Sequence, residues 1–267
     1  MGERLKDRVA VITGGNSGIG EATGHVFAKE GAKVILMARR EDQGKKVADA
    51  IREEGGEAHF ISCDVSDNDA VLKAVAEAAE IYGRIQILFN NAGGGAPGRF
   101  PNEPADEFMR VVTVNLGGTM FVTQAVWPHL VESGGGIVVN MSSLAAQRGF
   151  SPRMYKEFGA TGASYYAAKS GIEGLTRYMA GIGGEHNIRV NCIRPGQIMT
   201  PGATRGTLND PDGGHHVSEK MFDYAQILQG PGYPEDVANL VLFLACDESR
   251  FVNGEIINVD GGCAAKL

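Results

Sequence analysis

The 267-residue chain has no run of Lys or Arg longer than a pair, and its formal net charge is -7. A nucleic-acid surface needs a basic patch, so no nucleic-acid partner is expected. No apolar run reaches the roughly 20 residues that a membrane-crossing helix requires. The opening MGERLKDRVA is too polar for a secretory leader, and neither a membrane partner nor export is expected. Cysteine is scarce: Cys63, Cys192, Cys246 and Cys263 show no CxxC spacing. That pattern argues against a dithiol or zinc-ribbon centre and reads as reduced thiols in a cytoplasmic protein. There is no low-complexity linker either, because the 38 glycines are spread along the chain, often at the ends of apolar runs. One domain over residues 1–267 is expected.

What is present is a strict alternation of β-branched apolar runs with helical patterns. Strands are expected at 8–13, 33–38, 58–63, 85–90, 136–141, 188–193 and 255–260. Helices are expected at 18–29, 43–54, after an N-cap at Ser66, from Pro104 towards Leu130, at 164–184, and from Pro234 onward. Near-continuous Val/Ile strands separated by helices imply an α/β fold, with a parallel sheet covered on both faces. Right-handed crossovers leave a doubly wound sheet or a closed barrel, and the glycine pattern after the first strand favours the doubly wound sheet.

That pattern is TGGNSGIG, Thr13 to Gly20. It follows a strand and opens a helix, the context in which a dinucleotide pyrophosphate meets free N–H groups. Gly14 permits the sharp turn, Gly18 allows close backbone approach, and Gly20 lets the helix pack on the sheet; Asn16, Ser17 and Ile19 complete the cradle. The plain alternative is a tight Gly-rich turn. At the end of the second strand, where a carboxylate would bond the ribose 2′-hydroxyl of NAD, stand Ala38, Arg39 and Arg40. A guanidinium can grip a 2′-phosphate with paired, charge-assisted hydrogen bonds, so NADP(H) is preferred as cofactor and NAD(H) remains possible. Two solvated arginines with no such role are the alternative.

TGxxxGxG, NNAG (Asn90–Gly93), Asn115, Ser143, YYAAK (Tyr165–Lys169) and RPG (Arg194–Gly196) occur in order, and together they resemble the short-chain dehydrogenase/reductase family from Arg8 to Gly262. The resemblance implies a single-domain Rossmann-like sheet of about seven strands, in a homotetramer or homodimer. It implies Tyr165 as general acid/base for a carbonyl/alcohol pair and as a cofactor contact, with Lys169 as the neighbouring cation and as a holder of the nicotinamide ribose. Ser143 would hydrogen-bond the substrate oxygen, and Asn115 would anchor a proton-relaying water. It further implies adenine contacts from Asp64 and Val65 and an adenosine wall from Asn91, Ala92 and Gly93. Nicotinamide-side contacts would come from Pro195, Gly196, Ile198 and Thr200. Singly, Asp64 could be a helix cap, Asn91 a turn residue and Thr200 a loop cap.

Three tyrosines compete for the acid/base role. Only Tyr165 has a lysine four residues on, because Tyr155 meets Gly159 at that offset and Tyr166 meets Ser170. Ser143 and Tyr165 are 22 residues apart, a long separation for the family, with the surplus in 148–162. That insertion, through Phe150, Met154, Tyr155 or Phe158, is either a pocket or subunit contact, or a solvated loop. Residues 195–230 read as a substrate lid, partly helical near 217–228, and DPDGGHH within it reads as a mobile loop and not a metal site. Substrate contacts are expected from Ser143, Tyr155 and Gln197. The resulting expectation is an oxidoreductase for a small ketone or secondary alcohol. The alternatives are a catalytically silent NAD(P)-binding sensor and an NAD-dependent alcohol dehydrogenase of the same fold.

Overall fold

A computed structural model describes residues 2–95, 100–149, 151–152, 162–201 and 226–266. Seven parallel strands form one sheet: β1 (Val9–Thr13), β2 (Lys33–Ala38), β3 (Glu57–Ser62), β4 (Ile87–Asn90), β5 (Gly136–Met141), β6 (Ile188–Pro195) and β7 (Ile256–Val259). Their spatial order is β3-β2-β1-β4-β5-β6-β7. Succession along the sheet reverses between β1 and β4, which opens a crevice at the carboxyl ends of those strands.

Residues of period two explain why both faces are covered. Ala10 and Ile12 of β1 join one core with Phe27 of α1 (Gly18–Lys29), Val47 and Ile51 of α2 (Glu41–Glu53), and Val241 of the last helix, Pro234–Ala245. Val11 points the other way, to Val71 and Val75 of α3 (Asn68–Tyr82). Val122 and Val126 of the Gly118–Glu132 helix and Met179 of the Ala163–Gly183 helix complete that second core. Each of the larger apolar side chains among them contributes on the order of 1.5–3 kcal/mol by leaving water, and Ala10 less.

The ends of the elements follow local chemistry, with two corrections to expectation. Asp67, not Ser66, caps α3, accepting from the N–H groups of Asp69 at 2.9 Å and Ala70 at 3.2 Å. Ser66 is drawn away because its hydroxyl donates to Asp64 Oδ1 at 2.7 Å. Gly83 ends α3 at φ 74°, a left-handed conformation that suits glycine. The single helix expected from Pro104 to Leu130 is instead α4 (Ala105–Val112), a π-helical turn (Thr113–Gly117) and α5 (Gly118–Glu132). The Asn115 side-chain amide takes the Val111 carbonyl at 2.8 Å, the acceptor an α-helix would offer to Asn115's own N–H, and the ladder widens there. The remaining long helices are α6 (Ala163–Gly183) and α7 (Pro234–Ala245), the latter opened by Pro234 with Asp236 accepting from Tyr233 N at 2.8 Å.

Tyr155, the other aromatics named in the insertion, the 217–225 part of the expected lid helix and DPDGGHH lie outside the described residues. Residues 226–228 carry no helix. Among the described residues no helix is long and apolar enough to cross a membrane, and no cluster of three metal-ligating side chains occurs.

Candidate active site

The β1–α1 turn is shaped by close approach. Gly14 and Gly18 have φ of 65° and 57°, and a Cβ on Gly20 would stand 2.3 Å from the Gly14 carbonyl oxygen. Ser17, at the N-cap of α1, makes no capping bond; its hydroxyl accepts from Arg40 Nη2 at 3.0 Å. The first-turn N–H groups of α1 are thus left to an anion, as a pyrophosphate cradle requires. Asn16, with its amide oxygen turned to Arg40, accepts from Nε at 2.9 Å and Nη2 at 3.2 Å. Arg40 is pinned at the mouth of the cradle, whereas Arg39 lies over Asp64, Nη1 to Oδ2 3.9 Å. The two guanidiniums bracket the end of β2, beyond Ala38.

Across the crevice, Thr13 knits β1 to β4. Its hydroxyl accepts from Asn91 N and Ala92 N, both at 3.0 Å. The Asn91 amide donates back to the carbonyls of Thr13 at 2.9 Å and Gly14 at 3.2 Å. Asn91 thus staples the turn between β1 and β4 at the edge of the crevice. Asp64 is likewise engaged with Ser66 and Arg39, while Val65 is buried against Gly118.

The Asn115 side chain clasps Gly94: Nδ2 donates to Gly94 O at 2.9 Å and Oδ1 accepts from Gly94 N at 3.2 Å. Gly93 fits beneath it only without a side chain, since a Cβ would lie 2.4 Å from Asn115 Oδ1 and 3.3 Å from Lys169 Nζ. On the far side of the crevice Gly196 N donates to Val259 O at 3.0 Å and Met199 N to Gly232 O at 2.8 Å. These bonds fix the segment Pro195–Gly196–Gln197–Ile198 and bring Thr200 beside Gly18, where a glycine Cβ would meet Thr200 at 3.2 Å.

Ser143, Tyr165 and Lys169 converge at the end of β5. Ser143 follows the strand, its Oγ accepting from Ala145 N at 3.2 Å, and its hydroxyl neighbours the phenol of Tyr165 on α6. Lys169, one turn later and 2% exposed, places Nζ 5.5 Å from the Tyr165 ring centre. That ammonium donates to Met141 O at 2.8 Å. Burial pushes the Tyr165 phenol above its ordinary value, and the neighbouring Ser143 hydroxyl opposes that rise. Burial also pulls Lys169 down to about 8 from 10.5, opposed by the nearby Cys192.

The Lys169 shift has a testable sign. With the folded value below the unfolded one, the unfolded chain binds the proton more tightly, so the lysine weakens the fold fully below pH 8. That penalty fades as pH rises from about 8 towards 10.5. Lys169→Met is expected to raise stability at pH 7 by on the order of 2 kcal/mol, after allowing for the lost bond to Met141. Thermal melts across pH 6–10 check this: the gain should shrink above pH 8, and a loss at pH 7 contradicts it.

The four cysteines are buried and unpaired, and burial pushes Cys63 to about 11 and Cys192 to about 12. Neither is a thiolate near neutral pH. Sequence reasoning missed a polar chain that holds the crevice floor, in which Asn90 Nδ2 reaches Thr123 Oγ1 at 2.8 Å and Asn140 Oδ1 at 2.9 Å. Asn140 continues it to Thr176 Oγ1 at 2.9 Å. Asn at the last position of the strand run ILFN and at the penultimate position of GIVVNM was its sequence signal.

A turn without a cap, a converged Ser–Tyr–Lys set and this strand order define a dinucleotide-site fold, and comparison with known proteins places it. The family profile described as enoyl-(acyl carrier protein) reductase matches residues 14–264. An oxidoreductase of Bacillus subtilis (strain 168) is 39% identical, covering 98% of this chain and 93% of its own. The 7alpha-hydroxysteroid dehydrogenase of Escherichia coli (strain K12) is 34% identical over 99% of this chain and 97% of its own. A solved 7alpha-hydroxysteroid dehydrogenase, complexed with NADH and 7-oxo glycochenodeoxycholic acid, superposes with a TM-score of 0.85 at 32% identity, covering 97% of this chain and 95% of that one. The chain belongs to the short-chain dehydrogenase/reductase family.

Proposed function

We propose that the chain, as one catalytic domain over residues 1–267, is an NADP(H)-dependent oxidoreductase acting on a ketone or secondary alcohol. The observation that carries this reading is the meeting of the Ser143 hydroxyl, the Tyr165 phenol and the Lys169 ammonium at the carboxyl end of β5. The residues fit a dinucleotide: the uncapped α1 terminus, the Cβ-free cradle at Gly14, Gly18 and Gly20, and the flanking guanidiniums of Arg39 and Arg40. Such a group supplies a hydride when bound.

The chain's own residues handle oxygen and proton. Because the Ser143 and Tyr165 hydroxyls are neighbours, a substrate oxygen seated against both would meet two donors. As negative charge grows on that oxygen during reduction, the Tyr165 Oη proton passes to it, leaving a phenolate. Lys169 as ammonium favours the phenolate, and the proton returns from water. In the alcohol direction the same phenolate removes the hydroxyl proton. Gln197, half-buried beyond the Pro195–Gly196 turn, is proposed to border the substrate, as is Tyr155 from the insertion.

Arg39 and Arg40, with no carboxylate at Ala38, support NADP(H) over NAD(H). The exposed apolar side chains Met109 and Met120 on α4 and α5, with Tyr178 and Ile182 on α6, support assembly into a homotetramer or homodimer. Buried, unpaired thiols support a reducing, cytoplasmic setting. A panel of ketones and secondary alcohols, assayed with NADPH and NADH, tests the reading, with a trans-2-enoyl thioester added because the family profile's description names that reaction. Ketone-dependent NADPH oxidation is expected; oxidation by the enoyl thioester alone overturns the substrate class.

A further inference from the structure

A buried ion pair lies directly beneath the proposed catalytic groups, and the mechanism above makes no use of it. Glu173 stands one turn beyond Lys169 on α6, and Arg194 is the penultimate residue of β6. Their side chains are 7% and 13% exposed. Arg194 grips the carboxylate with both edges, Nε to Oε1 and Nη2 to Oε2 at 2.6 Å. A third group completes the cluster: Ser142 Oγ lies 2.9 Å from Glu173 Oε1 and 3.1 Å from the backbone oxygen of Lys169. The Ser142 N–H in turn donates to Ile193 O at 2.8 Å.

We propose that Glu173 and Arg194 are positioning residues, and that their fork, bridged by Ser142, sets the three catalytic elements in register. Each end of the cluster leads straight to a working group. Ser142 is bonded in sequence to Ser143. Glu173 shares a helix face with Tyr165 and Lys169 at four-residue intervals. Arg194 precedes the Pro195–Gly196 turn assigned to the nicotinamide side. Packing alone does not call for this arrangement, because a buried ion pair is commonly replaced by apolar side chains of similar volume with no loss of stability. What apolar side chains lack is direction. A two-edged guanidinium–carboxylate pair fixes both distance and plane. Here it fixes α6 against the ends of β5 and β6, the frame in which Ser143, Tyr165 and the nicotinamide turn must agree.

This inference rests on the oxidoreductase reading, and the test separates the two. Glu173→Gln leaves Arg194 buried without its countercharge and is expected to lower both the melting temperature and kcat. Glu173→Met combined with Arg194→Met removes both charges. It is expected to regain the wild-type melting temperature and NADPH affinity, measured by fluorescence titration, while kcat stays about 100-fold down. Recovery of kcat together with the melting temperature would show an ion pair that only stabilises, and would overturn the proposal. Should the double variant fail to fold, Arg194→Lys decides, since it keeps the charge and loses the fork. A fall in kcat without a matching fall in melting temperature supports positioning; an unchanged kcat overturns it. A wild-type protein with no turnover on any carbonyl or alcohol would instead remove the functional reading itself.

Discussion

Tyr165→Phe is expected to cut turnover about 1,000-fold or more while leaving NADPH binding unchanged. The size follows from the role, since general acid catalysis by a positioned side chain contributes about 10²–10⁴-fold. Phenylalanine keeps the ring against Lys169 and removes only the hydroxyl that Ser143 contacts. The variant should therefore fold normally, and the cradle around Gly14 to Gly20, on another element, should be untouched. Steady-state NADPH oxidation with the best ketone of the panel gives the rate, and fluorescence titration gives the affinity. A rate within tenfold of wild type would mean that Tyr165 is not the proton donor. A lost affinity would mean that its role is in binding.

Arg39→Ala is expected to lower kcat/KM for NADPH by about 10- to 100-fold and to leave NADH kinetics unchanged. Hydrogen bonds to charged groups are worth about 1.5–3 kcal/mol, and about 1.4 kcal/mol is a factor of ten. Arg39 is the cleaner choice of the two arginines. Arg40 also holds Asn16 and Ser17, so its removal would disturb the cradle for either dinucleotide. Among the described residues Arg39 has only a long contact to Asp64, at 3.9 Å, and its side chain is 70% exposed, able to turn to a 2′-phosphate. Equal losses with both dinucleotides would contradict the assignment, as would a wild-type preference for NADH.

The parts of this site legible in the sequence are those carried by neighbours along the chain. TGGNSGIG marks a turn whose left-handed conformation at Gly14 and Gly18 favours glycine, and its place between strand and helix was visible from hydrophobic period alone. Tyr165 and Lys169 share a helix face by spacing. The less legible parts depend on which side chain wins a local competition. Ser66 and Asp67 both suit an N-cap, and the nearby Asp64 carboxylate decided between them by engaging Ser66. Asn115 interrupts a helix that propensity alone would continue, because its amide takes a backbone acceptor and clasps Gly94. The Glu173–Arg194 fork was not legible at all, since it joins residues on a helix and a strand that meet only once α6 has packed on the sheet. The family pattern placed Asn91 on a cofactor wall, but its hydrogen bonds to Thr13 and Gly14, which tie the turn together, could be seen only in three dimensions.

Hydride transfer to a carbonyl carbon is the central claim, and isotope transfer tests it most directly. NADPH carrying deuterium at the transferable position of nicotinamide C4 would be incubated with the enzyme and the best ketone, and the alcohol product examined by mass spectrometry and NMR. One deuterium on the carbinol carbon is the predicted result, with the hydroxyl proton drawn from water through Tyr165. Bound NADPH that no ketone oxidises, or deuterium found anywhere but the carbinol carbon, would contradict it.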